Sequence, residues 1–123
     1  MNQTKLNLSV SEAAEILKTS LQNKGFTLFA DIDHQANAAS VDLEMPASRA
    51  LIFGNPVAGT KLMQKDIFMS LDLPLRLAIV EKDGQTLFIH QTSEDYSNYY
   101  QIENHPVLKK IEGLYSTLIS ELR

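Results

Sequence analysis

The chain has 123 residues, 44% of them hydrophobic and 21% charged, with five Gly, four Pro and no Cys. That length suits one domain spanning residues 1–123, long enough to bury roughly two-thirds of the unfolded surface without metals or crosslinks. Eleven Lys+Arg against fifteen Asp+Glu give a net charge of −4, which argues against a dedicated nucleic-acid binder, and the missing cysteines exclude disulfides, thiolate nucleophiles and zinc–thiolate centres.

Met1 to Leu8 holds no apolar run resembling a signal-peptide core, and runs such as Leu77–Val80 are far too short to cross a bilayer. The expectation is a soluble cytoplasmic protein with no membrane partner. Thr4–Leu8 alternates as a short half-buried strand. Ser9 and Glu12 have the spacing of a capping box, and Val10, Ala13, Ala14, Leu17 and Leu21 form a helical stripe. Gly25 suits the left-handed position after a helix running from Val10 to about Lys24. Phe26–Asp33 is the second strand, with Phe26, Leu28, Ala30 and Ile32 on one face. His34–Met45 allows a helical turn but has no convincing cap.

Arg49–Gly54 is a compact apolar strand that Asn55-Pro56 ends. A helix capped by Gly59 or Thr60 is predicted to run to about Ser70, burying Leu62, Met63, Ile67 and Leu71. Asp72-Leu73-Pro74 stops it. Leu75–Lys82 and Gln85–Thr92 are strands joined by Asp83-Gly84, a favoured two-residue hairpin turn. That turn predicts the pairs Val80–Leu87, Ile79–Phe88, Ala78–Ile89 and Leu77–His90. Both faces of the hairpin are then apolar, which calls for cover on both sides. A second subunit is one candidate cover; a loop or the C-terminal helix is the other. Ser93 is placed at the start of a short helix carrying Tyr96, Tyr99 and Tyr100. Pro106 opens a final amphipathic helix, interrupted by Gly113. The fold class is α+β, two-layered, with a mainly antiparallel sheet in the order β-α-β-β-α-β-β-α.

Two segments carry candidate chemistry. Asp31, Asp33, Asp42 and Glu44 fall in a stretch without Lys or Arg between Lys24 and Arg49, giving a locally negative region around His34. Carboxylates beside an imidazole suit cation binding or acid–base work, although the spacing matches no metal motif, and a solvated strand end with His34 hydrogen-bonded to backbone is the simpler explanation. Gly54 to Lys61 has a Gly-x-x-x-x-Gly frame, but Thr60 precedes Lys61 where a phosphate-binding loop needs Lys before Ser/Thr. What survives is a helix N-terminus whose amides, with Asn55 and Thr60, hold an anionic or polar ligand, against a plain strand-to-helix turn. His90 reads as a satisfied core or interface histidine, and His105 as part of a helix N-terminal turn.

Taken together, Ile32-Asp33-His34, Leu51-Ile52-Phe53-Gly54-Asn55-Pro56, Gly59-Thr60 with Leu62-Met63, and Asp72-Leu73-Pro74-Leu75 resemble the bacterial and archaeal family catalogued as domain of unknown function 302. The resemblance is clearest from Gly25 to Thr92. It implies a two-layer domain similar to a single TATA-binding-protein-like repeat, and it implies dimers. The family name implies no reaction and no cofactor.

The sequence therefore supports a homodimeric module for a small polar or anionic ligand, or a metal, held between the Asp33-His34 turn and the Asn55–Thr60 loop. In that reading His34 supplies a donor or ligand, Asp33 and Glu44 orient it, and Asn55 and Thr60 touch the bound group. One alternative is a small enzyme with His34 as general acid/base beside Asp33 or Glu44. Another is a protein-interaction subunit with no ligand site. A shared site requires His34, Glu44 and Asn55 to converge in one concavity.

Overall fold

The computed structural model describes residues 1–123. Five antiparallel strands form one sheet: β1 (Asn2–Leu6), β2 (Thr27–Asp33), β3 (Ser48–Gly54), β4 (Leu75–Lys82) and β5 (Gln85–His90), in the spatial order β1-β5-β4-β3-β2. Two long helices, α1 (Val10–Asn23) and α5 (Pro106–Glu121), contribute their apolar stripes to one core with Leu51, Phe53, Leu77 and Phe88 of the sheet. Short helices α2 (His34–Ala39), α3 (Pro56–Lys65) and α4 (Ser93–Tyr99) fill the connections, and a 3₁₀ turn spans Ile67–Leu71.

The helix ends follow from local chemistry. The Ser9 hydroxyl accepts the Glu12 amide while the Glu12 carboxylate accepts the Ser9 amide, a reciprocal cap that satisfies two orphan donors. At the other end of α1, the Gly25 amide bonds the Gln22 carbonyl and the Phe26 amide bonds the Leu21 carbonyl. This closure needs a left-handed residue, and Gly25 supplies it with φ 84°. The Asp83-Gly84 hairpin has positive φ at both turn residues and sets the expected register, with Val80 opposite Leu87 and Leu77 opposite His90. Gly113 has no packing role: a Cβ there would meet nothing within 4 Å.

Several expectations change. First, the third helix starts earlier and stops sooner. Asn55 caps it and Pro56 occupies its first turn, where a fixed φ and a missing N–H cost nothing. Asp66 then adopts an extended backbone and caps the 3₁₀ turn. The break changes which residues face inward: Met69 is buried, whereas Ile67, Phe68 and Leu71 are 68%, 76% and 83% exposed.

Second, β2 does not alternate throughout. Leu28 pairs with Phe53 and Ala30 with Ile52, leaving Phe29 as a bulge. The extra residue flips the faces, so Leu28 and Asp31 share the helix side with Phe53 and Leu51, while Ala30 and Ile32 turn away. α4 starts at Ser93 as expected, capped by Thr92 in a box with Asp95, and Tyr100 falls just past its end.

The sheet's second face carries Ile32, Ile52, Val80, Leu87 and Ile89, all half-buried, with exposed Arg76 beside Ile52 and Lys5 beside Leu87. α5 lies on the opposite face, where Tyr115 meets Phe53 and Phe88 edge-on. The C-terminal helix is therefore not the cover for this surface.

Candidate functional site

The antiparallel register separates the two candidate segments. Asp33 pairs with Arg49 and Thr27 with Gly54, so His34 and Asn55 leave opposite ends of the β2–β3 pair. At ~3.4 Å per residue, about 17 Å of strand lies between Arg49 and Gly54. His34, Glu44 and Asn55 do not converge in one concavity.

At the first end, the carboxylates are already engaged or solvated. The Asp33 side chain accepts the Ala36 amide at 2.9 Å and caps α2. Asp31 accepts from Arg49 Nε at 2.8 Å and Nη2 at 2.5 Å, and it also meets Lys18 Nζ at 3.0 Å. Arg49 reaches Glu15 of α1 as well. Hydrogen bonding from Arg49, above all, holds the Asp31 carboxyl below its usual range, and the same contact raises Arg49. The region that reads as locally negative is thus crossed by two basic side chains from outside it. His34 and Glu44 are exposed. No group of three or more His, Asp and Glu side chains is arranged to hold a metal.

The second end holds a groove of about 670 Å³ between α3, the Leu73-Pro74 segment and α5, within the size range of small-molecule sites. Phe26, Leu62, Met63 and Leu73 line it. Val107, Lys110, Ile111 and Leu114 add one continuous face of α5, as their three- and four-residue spacing requires. The Phe29 bulge and Pro74 close its sheet end over Gly54, where a Cβ would stand 3.3 Å from Pro74 Cβ and 3.4 Å from the Phe29 ring. A side chain there would make Pro74 or the Phe29 ring give way by a few tenths of an ångström.

The helix N-terminus in this groove does not offer free amides. Asn55 Oδ1 accepts from Val57 at 2.9 Å and Ala58 at 3.3 Å. The Gly59 amide bonds the Asn55 carbonyl, and Pro56 has no N–H to give. The anion-binding amides expected there are consumed by the cap, and Asn55 contributes its oxygen to the fold. Thr60 lines the groove. The charged lining groups are Lys61 and Lys110; neither makes an ion pair, as is also true of Lys5, Lys65, Arg76, Lys82, Lys109 and Arg123, whereas Lys18, Lys24 and Arg49 are paired. Sequence reading weighed Lys61 only as a misplaced phosphate-loop lysine and missed Lys110, because a lysine's role in this groove depends on packing α5 against α3. The i, i+3, i+4, i+7 pattern Val107–Lys110–Ile111–Leu114 was the available signal.

The remaining candidates behave as structural groups. His90 stacks on Tyr115 with ring centroids 3.8 Å apart, and burial lowers its pKa. Asn2 Nδ2 donates to its Nε2, which leaves Nδ1–H to donate to the Gln91 carbonyl. His105 Nδ1 accepts the Val107 amide and caps α5.

Residues 2–118 match the family described as "Domain of unknown function DUF302". The chain belongs to that family. Its fold is similar to the crystal structure of an uncharacterized conserved DUF302 protein from Bacillus stearothermophilus, with a TM-score of 0.80, 16% identity, and coverage of 99% of this chain and 97% of that one. The DUF302 chain is also 40% identical over 76 residues to "Fluoride-specific ion channel FluC 1" of Brucella suis biovar 1 (strain 1330), covering 62% of this chain and 30% of that protein. A protein of the same printed name from Brucella abortus biovar 1 (strain 9-941) gives 40% over 76 residues and 28% of its length. The chain thus spans less than a third of these curated relatives. No helix of the DUF302 chain is long and apolar enough to cross a membrane.

Proposed function

We propose that this protein is a homodimeric cytoplasmic binding module for a small polar or anionic ligand, with the ligand held in the groove lined by Asn55 to Thr60. The observation that carries this reading is the groove itself: an apolar cleft whose charged lining groups, Lys61 and Lys110, have no carboxylate partner in an otherwise acidic chain. The ligand seat narrows to this end of the strands, and the Asp33-His34 end serves the fold. The acid–base enzyme draws less support, because one Asp33 oxygen caps α2 and His34 and Glu44 are both exposed. The relatives named as ion channels carry the shared segment within much longer chains, which fits a module that also serves as one part of larger proteins.

The dimer reading rests on the half-buried apolar residues of the sheet face opposite both long helices, which Lys5 and Arg76 flank. Pairing that face with its copy would bury Ile52, Val80 and Ile89 in an isologous contact. Native mass spectrometry of protein taken directly from cells tests both parts. The expected species is a dimer retaining a small molecule, and the Gly59→Leu substitution in the groove removes that added mass. A particle of one chain, 13.8 kDa, at micromolar concentration overturns the dimer. A retained mass indifferent to Gly59→Leu overturns the groove.

A further inference from the structure

The composition of the groove points to the chemical class of its ligand, an inference that rests on the binding reading above. Its walls are mostly carbon: Phe26, Leu62, Met63, Leu73, Ile111 and Leu114 surround the cleft. Burying apolar ligand surface against such walls is favourable in proportion to area. A wholly polar ligand would leave these walls unused and lose its own hydration. The charged side chains come from different helices, Lys61 on α3 and Lys110 on α5, and both are exposed at the groove. Two cations with no protein counter-ion meet a single negative group without first breaking an ion pair. No Asp or Glu lines the groove to oppose it.

We infer that the ligand is an amphipathic small-molecule anion, with an apolar body along Leu62, Leu73, Ile111 and Leu114 and one carboxylate-, sulfonate- or phosphate-type head between Lys61 and Lys110. The head is held by side-chain ammonium groups, since the α3 amides are committed to Asn55 and to the helix. This division assigns affinity to the hydrophobic wall and discrimination to the lysine pair. It also predicts that binding weakens with salt, because exposed ion pairs are screened within about 10 Å at 0.1 M ionic strength.

The test uses two fluorescent probes of similar apolar body: 1-anilinonaphthalene-8-sulfonate, which carries an anionic head, and N-phenyl-1-naphthylamine, which does not. Titrations into the intact protein compare wild type, the Lys61→Gln/Lys110→Gln double variant, and Gly59→Leu. A Cβ at Gly59 would meet only Leu73 Cδ1, at 3.9 Å, so this variant adds bulk to the groove at ordinary contact distance. Thermal melts confirm that each variant is folded; the two lysines are exposed, and their replacement leaves the core intact.

The expected result is anionic-probe binding that weakens roughly five- to tenfold in the lysine double variant, as loss of two exposed charge contacts requires. Binding of the neutral probe changes less than about twofold. Decanoate displaces both probes. If both probes bind equally well and the lysine substitutions leave the anionic probe unaffected, the groove reading stands and the anion inference falls. If neither probe binds wild-type protein, or if Gly59→Leu leaves both affinities unchanged in a folded protein, the groove reading falls with it.

Discussion

Arg49 and Asp31 meet at 2.8 and 2.5 Å, with Lys18 and Glu15 of α1 completing the network, whereas Lys61 and Lys110 flank an apolar groove and meet no carboxylate. The first region is rich in acidic residues along the chain, yet its one partly buried carboxylate, Asp31, is spent on fastening α1 to the strands, while Asp42 and Glu44 lie out in solvent. The second is unremarkable in sequence and presents two cations without counter-ions. Availability of a charged group is decided by what the tertiary structure puts beside it, and local density of charge is a poor guide to it. A ligand competes for the unpaired lysines at low cost; to reach Asp31 it would have to displace an arginine.

The largest expected effect breaks the first region. Arg49→Met removes the main partner of Asp31, whose side chain is 19% exposed. The loss is about 1–2 kcal/mol in urea unfolding, below the value for a fully buried pair because solvent and Lys18 still reach the carboxylate. The pH dependence carries the sign. Arg49 lowers the folded pKa of Asp31 below its ordinary value of 3.8, so the carboxylate's contribution is complete above that value and is lost as pH falls through the lowered folded one. Wild-type stability should therefore fall more steeply on acidification than that of Arg49→Met. Equal acid slopes in the two proteins would mean that the network contributes nothing, and the contrast with the groove would lose its first half.

A smaller effect separates capping from ligand contact at the other region. Asn55→Ala removes the acceptor for two amides of α3 and is expected to cost about 1 kcal/mol, whereas Asn55→Asp keeps an acceptor and should stay close to wild type. Thermal or urea melts of both variants check it. If Asn55→Ala is neutral while Asn55→Asp destabilises, the Asn55 oxygen is not serving the helix as described.

The parts of the fold written in local chemistry were legible in the sequence. The capping box at Ser9, the glycine after α1, the Asp83-Gly84 turn and its four strand pairs depend on residues close together in the chain, and all took the expected form. The α3 boundary was obscured because Asn55-Pro56 serves equally well to end a strand or to begin a helix. The facing of Ile67 and Leu71 went with it: a helix extended to Ser70 buries them, while a break at Asp66 exposes them. The β2 bulge was hidden for a different reason, since one extra residue leaves the alternating pattern readable on paper and reverses it in space. Asp31 consequently points toward α1, where Lys18 and Arg49 can reach it. Half of the candidate site, the Asn55–Thr60 loop, lines a groove. The other half was drawn to it by sequence proximity to charge, and the antiparallel register sends His34 the opposite way. Lys61 and Lys110 are 49 positions apart, and only the packing of α5 beside α3 makes them neighbours of one cleft.

The smallest expected effect is at His34, and it bears on the same contrast. The imidazole opens a six-residue helix with no buried residue, and its neighbour Asp33 caps that helix through its own carboxylate. Neither a buried contact nor a shared hydrogen bond ties His34 to the fold, so His34→Gln should change stability by less than about 0.5 kcal/mol, as for ordinary surface substitutions. If the ligand seat lies wholly in the groove, the same substitution also leaves the affinity for 1-anilinonaphthalene-8-sulfonate unchanged, some 17 Å of strand away. Fluorescence titration and a thermal melt on one preparation give both values. A several-fold loss of probe affinity in a protein of unaltered stability would join the two ends of the β2–β3 pair into one functional unit. The division between a region of charge used for folding and a region of charge kept for binding would then have to be redrawn around His34.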